Sequence, residues 1–319
     1  MKIRIDSELK VVEFWAVDQE IPKVTGGSVK KYGPEYLIHT FIKPRLLVDN
    51  ARIMTLPSTK RDMVVRLLEF PNRVIEYDGV RLSWTDQQYP GVWSPSIDTI
   101  LFAKALRFLL RSSFFLKNAC SFLEIGCGSG FLSKYILQKK LEIKKPIKYA
   151  HLMDINHDAL TCAMNTIDEV KGTTLISYSL NRPREIIKTT NQHDLVISNP
   201  PYIPRPNARI NNPFEGLFLY QEIFKRASEL LRPGSILLTN FSSISKSEVW
   251  PLFVKKFKIK TIYKMKVPLK IPLITARFSE ESRKWMNYLE KKDKIIVDRS
   301  EKSGYRYWHV IQIVECRLK

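Results

Sequence analysis

Leu123-Glu124-Ile125-Gly126-Cys127-Gly128-Ser129-Gly130 decides how the rest of this chain is read. Residues 122–125, apolar but for Glu124, predict a buried strand, residues 126–130 a tight turn, and residues 131–138 a helix. Glycine at alternate positions lets the backbone bend sharply and lets a ligand come close. The spacing excludes two phosphate-binding loops. A dinucleotide fingerprint needs a glycine where Phe131 stands, and a Walker loop needs Gly-Lys followed by Ser or Thr. Glu124, at the lip of the turn, would repel a pyrophosphate and suits a cationic ligand instead. S-adenosylmethionine carries an amino group and a sulfonium and no phosphate.

Outward from this loop, strands and helices alternate. Strand 149–153 ends in Asp154 and Ile155, helix 157–170 follows, and strand 174–180 ends in Ser179 and Leu180. A carboxylate at the tip of the second strand can take both ribose hydroxyls, and the tip of the third would border an adenine. Strand 195–198, helix 217–231 (stopped by Pro233-Gly234) and strand 235–239 complete the series. Upstream, strands 74–77 and 80–84 flank Asp78-Gly79, a hairpin signal, and residues 97–110 have helical spacing. In the tail, strands 258–265 and 305–314 enclose a helix at 280–291. The expected fold class is α/β: a Rossmann-like class I methyltransferase fold, mostly parallel with a C-terminal antiparallel hairpin. It is joined to a small N-terminal strand-rich α+β domain, with strands at 3–5, 11–17, 36–42 and 45–54 and a helix at 61–70. The domains are then 1–72, an accessory or substrate-recognition domain, and 73–319, the methyltransferase domain with an insertion around 267–304.

Composition narrows the class further. The chain has 319 residues, 44% of them hydrophobic, and no window resembling a membrane helix or a signal peptide. A cytoplasmic location is expected. The spacings of the four cysteines and five histidines match no metal site, so no metal is expected. The net charge is +20, from 52 Lys+Arg against 32 Asp+Glu, and attracts polyanions. From 255 to 277 there are seven lysines and one arginine with no acid. That stretch, with the accessory domain, is expected to form a basic substrate platform, Lys258, Lys260, Lys264 and Lys266 lying along one side of a strand.

The second chemical motif is Asn199-Pro200-Pro201-Tyr202, at the end of the fourth strand. In such a sheet that end faces the ligand crevice. Two prolines fix φ and remove two backbone donors, so carbonyls and the Asn199 side-chain oxygen are left as acceptors. An NH2 group is a paired donor, and acceptors at fixed spacing can grip it. Holding both hydrogens favours a tetrahedral nitrogen whose lone pair can attack a methyl in line. Tyr202 offers a flat face to a flat group. The expected reaction is N-methylation of a planar amide or amino nitrogen.

At these residues the chain resembles the HemK/PrmC family of protein-glutamine N5-methyltransferases, over roughly residues 75–240. Residues 92–99 (Val-Trp-Ser-Pro-Ser-Ile-Asp-Thr) look like the family's segment before the first strand. The resemblance implies that Thr99, Glu124, Gly126, Cys127, Gly128, Gly130, Asp154, Ile155, Ser179, Leu180 and Asn199 hold the cofactor, S-adenosylmethionine. It implies that Asn199, Pro200, Pro201 and Tyr202, followed by Ile203-Pro204, are catalytic. Glu215-Gly216-Leu217, Tyr220 and 231–234 also fit. The chain departs from the family at Ser179, where an acid is usual, and in its N-terminal region, which is helical in the bacterial enzymes. The leading expectation is a glutamine side chain in a translation factor or ribosomal protein. The alternative is a nucleic-acid methyltransferase acting on adenine-N6 or guanine-N2 of RNA or DNA, and a minor one is an inactive cofactor-binding interaction module.

Overall fold

The computed structural model describes residues 35–38, 46–49, 72–85, 89, 92, 95, 97–181, 187, 192–202, 217–268, 280–299 and 307–319. The predicted strands at 3–5 and 11–17 and the helix at 61–70 lie outside these residues. Contacts divide the chain into two compact units, one of Met1–Pro90 with Lys266–His309 and one of Gly91–Met265 with Val310–Lys319. In the first unit, β1 (Glu35–Ile38) pairs antiparallel with β2 (Leu46–Asp49). The expected hairpin joins β3 (Asn72–Tyr77) to β4 (Val80–Thr85). Its turn residues Asp78 and Gly79 have φ of 52° and 78°, as a two-residue loop requires.

The catalytic unit begins with α1 (Ile97–Ser112), which buries Leu101, Phe102, Ala105 and Leu109. A short helix absent from the sequence reading, α2 (Phe114–Asn118), is capped by the Ser113 hydroxyl, which accepts from Leu116 N. Then follow β5 (Ser121–Ile125), α3 (Phe131–Glu142), β6 (Tyr149–Asp154), α4 (His157–Ile167), β7 (Leu175–Leu180) and β8 (His193–Ser198). After them come α5 (Phe218–Leu230), β9 (Leu231–Ser242), α6 (Lys246–Lys256) and β10 (Phe257–Pro268). The tail holds α7 (Glu280–Lys291), β11 (Ile296–Val297) and β12 (Tyr307–Leu318). Helix α6 is absent from the sequence reading and holds Pro251 in its interior.

The strand order is β10-β12-β9-β8-β5-β6-β7. The pairs from β9 to β7 are parallel, while β12 runs antiparallel to β9. Parallel strands are covered on both faces, and all six residues of β8 are buried. The order places the site. From β5 the chain moves one way, to β6 and β7; from β8 it moves the other, to β9. The reversal lies between β5 and β8, and a crevice opens there, outside the carboxyl ends of both strands. The glycine loop follows β5 and the Asn-Pro-Pro-Tyr segment follows β8, so both predicted motifs meet at this opening.

Candidate active site

The glycine loop takes three left-handed turns, with φ of 74° at Gly126, 50° at Gly128 and 73° at Gly130. Gly126 N and Cys127 N both donate to the Met153 carbonyl, at 2.8 and 3.1 Å, which ties the loop to the end of β6. The glycines do different jobs. A Cβ on Gly130 would sit 2.7 Å from Ala163 Cα, so this glycine lets α4 approach the loop. A Cβ on Gly128 would meet nothing within 4 Å, so the backbone there faces open space. Asp154 borders that space. Its carboxylate accepts from Gly128 N and Asn156 N, both at 3.0 Å, while burial raises its pKa against the lowering effect of these bonds.

Glu124 is buried at the foot of the loop and accepts a hydrogen bond from the Ser133 hydroxyl. Burial pushes its pKa up to about 8. A buried carboxyl of this kind favours the arrival of a positive charge, which would release its proton. Open room beside Gly128, a buried acid needing a cation, and a second acid at the strand tip together fit S-adenosylmethionine. Cys127 is buried, and its thiol is pushed far up by burial and by Asp154 and Glu124, so it lines the loop as an inert group. Thr99 is half-buried in the first turn of α1, and Ile155 packs on the core that includes α5 and α6. Leu180 stands opposite Asp154 in the β6–β7 register and is 54% exposed. The Ser179 hydroxyl is hydrogen-bonded to His151 Nε2 at 2.8 Å, along the sheet. Side chains alternate along a strand, so Tyr178 and Leu180 occupy the face opposite to Ser179.

At the end of β8, the Ser198 hydroxyl donates to the Ile125 carbonyl at 2.9 Å and fastens the two loop-bearing strand ends together. Asn199 is held on both sides. Its Nδ2 donates to Asp98 Oδ2 at 3.0 Å, and its Oδ1 accepts from Asn240 Nδ2 at 2.6 Å. Asn240 is buried and is fixed in turn by the Tyr220 hydroxyl, 2.9 Å from its carbonyl and 3.2 Å from its Oδ1. On the other side, the Tyr202 hydroxyl bonds to Asp98; burial first, and then this carboxylate, drives its pKa far up, so the phenol stays protonated. The chain Tyr220–Asn240–Asn199–Asp98–Tyr202 is therefore continuous. It also fixes which way the Asn199 amide points, since a carboxylate can only accept. The Asn199 oxygen retains one lone pair. Pro200 is buried, and Pro201 and Tyr202 are half-buried.

Sequence reasoning placed Asn199 and Tyr202 at the site but missed Asp98, Tyr220 and Asn240 as its supports. The signal for Asp98 was present one residue before Thr99. That for Asn240 was a lone amide at the end of a strand, in Thr239-Asn240-Phe241.

Residues 90–259, more than half of the chain, match the methyltransferase small domain family. The chain belongs to this family. These residues form an S-adenosylmethionine-dependent methyltransferase domain with the Rossmann-like class I fold. A stretch of 94 residues is 37% identical to the ribosomal RNA small subunit methyltransferase C of Buchnera aphidicola subsp. Acyrthosiphon pisum, covering 30% of this chain and 25% of that one. The match thus spans a quarter of that relative's length. The tRNA m1G37 methyltransferase of M. jannaschii is 14% identical with a TM-score of 0.46, over 78% of this chain and 57% of that one. A transferase of Pyrococcus horikoshii is 11% identical with a TM-score of 0.46, over 95% of both chains. The narrower likeness to glutamine N5-methyltransferases rests on the motifs alone. Among the described residues, no helix is long and apolar enough to cross a membrane.

Glu124 is expected to make cofactor binding pH-dependent in a definite direction. Its pKa in the free protein, about 8, lies above the ordinary 4.5, and a bound cation lowers it again. Cofactor affinity is expected to rise as pH climbs towards 8, by up to about tenfold per unit, and to level off above. The stability of the free protein runs the other way. A raised carboxyl pKa contributes stability below the unfolded value, and this is lost as pH rises through the folded one. Titration calorimetry and thermal melts between pH 6 and 9 check both trends. Glu124→Gln should flatten each of them and weaken binding; a slope that persists in this variant would assign the effect elsewhere.

Proposed function

We propose that this chain methylates an exocyclic amino nitrogen of a nucleobase, guanine-N2 or adenine-N6, in RNA of the ribosome or its precursors. The observation that carries the reading is the oriented amide of Asn199, whose oxygen is presented at the crevice by Asp98 and Asn240. The oxygen's remaining lone pair accepts one hydrogen of an NH2 group, and the carbonyls of the Pro200-Pro201 segment accept the other. S-adenosylmethionine, when bound, supplies an electrophilic methyl. Tyr202 supplies a flat surface for the base, and the supports of Asn199 hold the acceptors still, so that catalysis is mainly positioning and electrostatics. RNA is favoured over protein by the +20 charge and by the stretch similar to a ribosomal RNA methyltransferase. Residues 1–72 would serve as an accessory recognition domain.

The second reading, a glutamine amide in a translation factor or ribosomal protein, is supported by Asn199 to Pro204, which follow the glutamine-enzyme pattern. One experiment separates them. Ribosomes are incubated with the protein and methyl-labelled cofactor, then treated with nuclease or with protease. The RNA reading expects label that is released by nuclease and survives protease. The converse favours glutamine, and no transfer at all favours the inactive module.

A further inference from the structure

Along one edge of the sheet the chain carries cations without counter-charges. β10 is the terminal strand in the order, and Lys258, Lys260 and Lys264 on it are exposed. None of the three has an ion pair or hydrogen bond with the described residues, and the stretch 255–277 contains no carboxylate to offer one. Some lysines elsewhere are paired: Lys139 with Glu142, Lys171 with Asp168 and Lys225 with Glu222, each three residues apart. Close by, Lys246 of α6 lies 4.4 Å from the centre of the Trp250 ring and feels the charge of Lys264, so cations are crowded there. A lysine or two suffices to keep an edge strand from pairing with another chain. An unbroken cationic edge repels itself, and that repulsion is relieved by a polyanion.

The edge also points the right way. Lys319 N donates to the Lys256 carbonyl, so the end of β12 meets the start of β10 and the two strands run antiparallel. Because β12 is antiparallel to β9, and β9 parallel to β8, the later half of β10 lies at the end of the sheet where β8 delivers Asn199. Three inter-strand steps of about 4.8 Å put the two strands about 14 Å apart. There the Lys104 ammonium donates to the Tyr263 hydroxyl and sits 4.5 Å from its ring centre, which ties β10 to the helix that carries Asp98. Lys266, expected in the same row, is exposed and lies 4.9 Å from the centre of the Trp308 ring.

We propose that Lys258, Lys260 and Lys264 form a phosphate track that leads an RNA strand along β10 towards Asn199. This rests on the RNA reading of the site above. The test measures binding of purified small-subunit ribosomal RNA to the cofactor-loaded protein across a range of salt. Changing the three lysines to Gln is expected to flatten the log–log salt slope by about 2, at roughly 0.7–0.9 per lost contact. Affinity at physiological salt should fall at least tenfold, with cofactor binding and melting temperature unchanged. The triple change to Arg should keep the slope, and changing Lys139, Lys171 and Lys225 to Gln, which removes the same charge elsewhere, should also keep it. RNA binding with an unchanged slope in the β10 variant, or equal flattening in the control variant, overturns the track and leaves the RNA reading standing. No RNA binding by the unaltered protein, with the cofactor still bound, overturns both.

Discussion

Asn199→Ala is expected to slow methyl transfer by about 10²–10³ while cofactor affinity stays close to that of the unaltered protein. The reason is the position of the amide. One N–H is spent on Asp98 and one lone pair of its oxygen on Asn240, and the reading proposed above assigns the other lone pair to the reacting NH2 group. Removing it deletes an acceptor but no contact of the glycine loop or Asp154. Single-turnover kinetics and calorimetry on one preparation separate the two quantities. Asn240→Asp is a sharper form of the same experiment. A carboxylate has the shape of the amide but no N–H for the Asn199 oxygen. Asn199 would then have to rotate, and its oxygen would face Asp98, two acceptors in opposition. A rate loss of the same order in this variant, with an unchanged melting temperature, would show that amide orientation and not packing is what matters. Full turnover in both variants would make the motif structural.

Gly130→Ala is expected to destabilise the catalytic unit by about 2–6 kcal/mol. Two effects add: a residue with Cβ held in the left-handed region, about 1–3 kcal/mol, and overpacking, another 1–3 kcal/mol. The neighbour is backbone, Ala163 Cα at 2.7 Å, so no side chain can swing aside. A fall in denaturation midpoint with an unchanged slope checks this. Gly128→Ala gives the contrast. Its φ of 50° carries strain of the same kind, but a methyl there meets nothing within 4 Å. It should therefore destabilise the fold less and reduce cofactor affinity more, since it fills the open space beside Asp154. If the two variants lost stability equally, the division of labour between the glycines would be wrong.

The backbone plan of the catalytic unit was legible because its signals are local. Strand β5, the glycine turn and α3 occupy consecutive residues, and the parallel sheet follows from alternation of strand and helix. Position of the Asn-Pro-Pro-Tyr segment at a strand end was legible for the same reason. The supports of Asn199 were not. Asp98 precedes it by 101 residues and Asn240 follows it by 41, and only the folded sheet brings the three together. The direction of an amide is set by its neighbours and leaves no trace in the residue's own identity. The bond between the Ser179 hydroxyl and His151 on the neighbouring strand likewise left no trace in the sequence. Helix α6, which holds Pro251 in its interior, was not read from the sequence at all.

The one-way wiring of Asn199 also decides what the crevice turns away. With one N–H of its amide held by Asp98 and its oxygen fixed by Asn240, Asn199 is expected to turn that oxygen to an incoming ring, beside carbonyls that are acceptors too. A substituent bearing two hydrogens is welcomed there. A keto oxygen of the same size and position would bring lone pair against lone pair in a site from which water is displaced. An amine and the carbonyl left by its hydrolysis are nearly the same shape, so a pocket that judged by fit alone would confuse them. On the reading proposed above, this one would distinguish them by sign, and a deaminated substrate is expected to be refused by repulsion at the atom where the methyl would have gone.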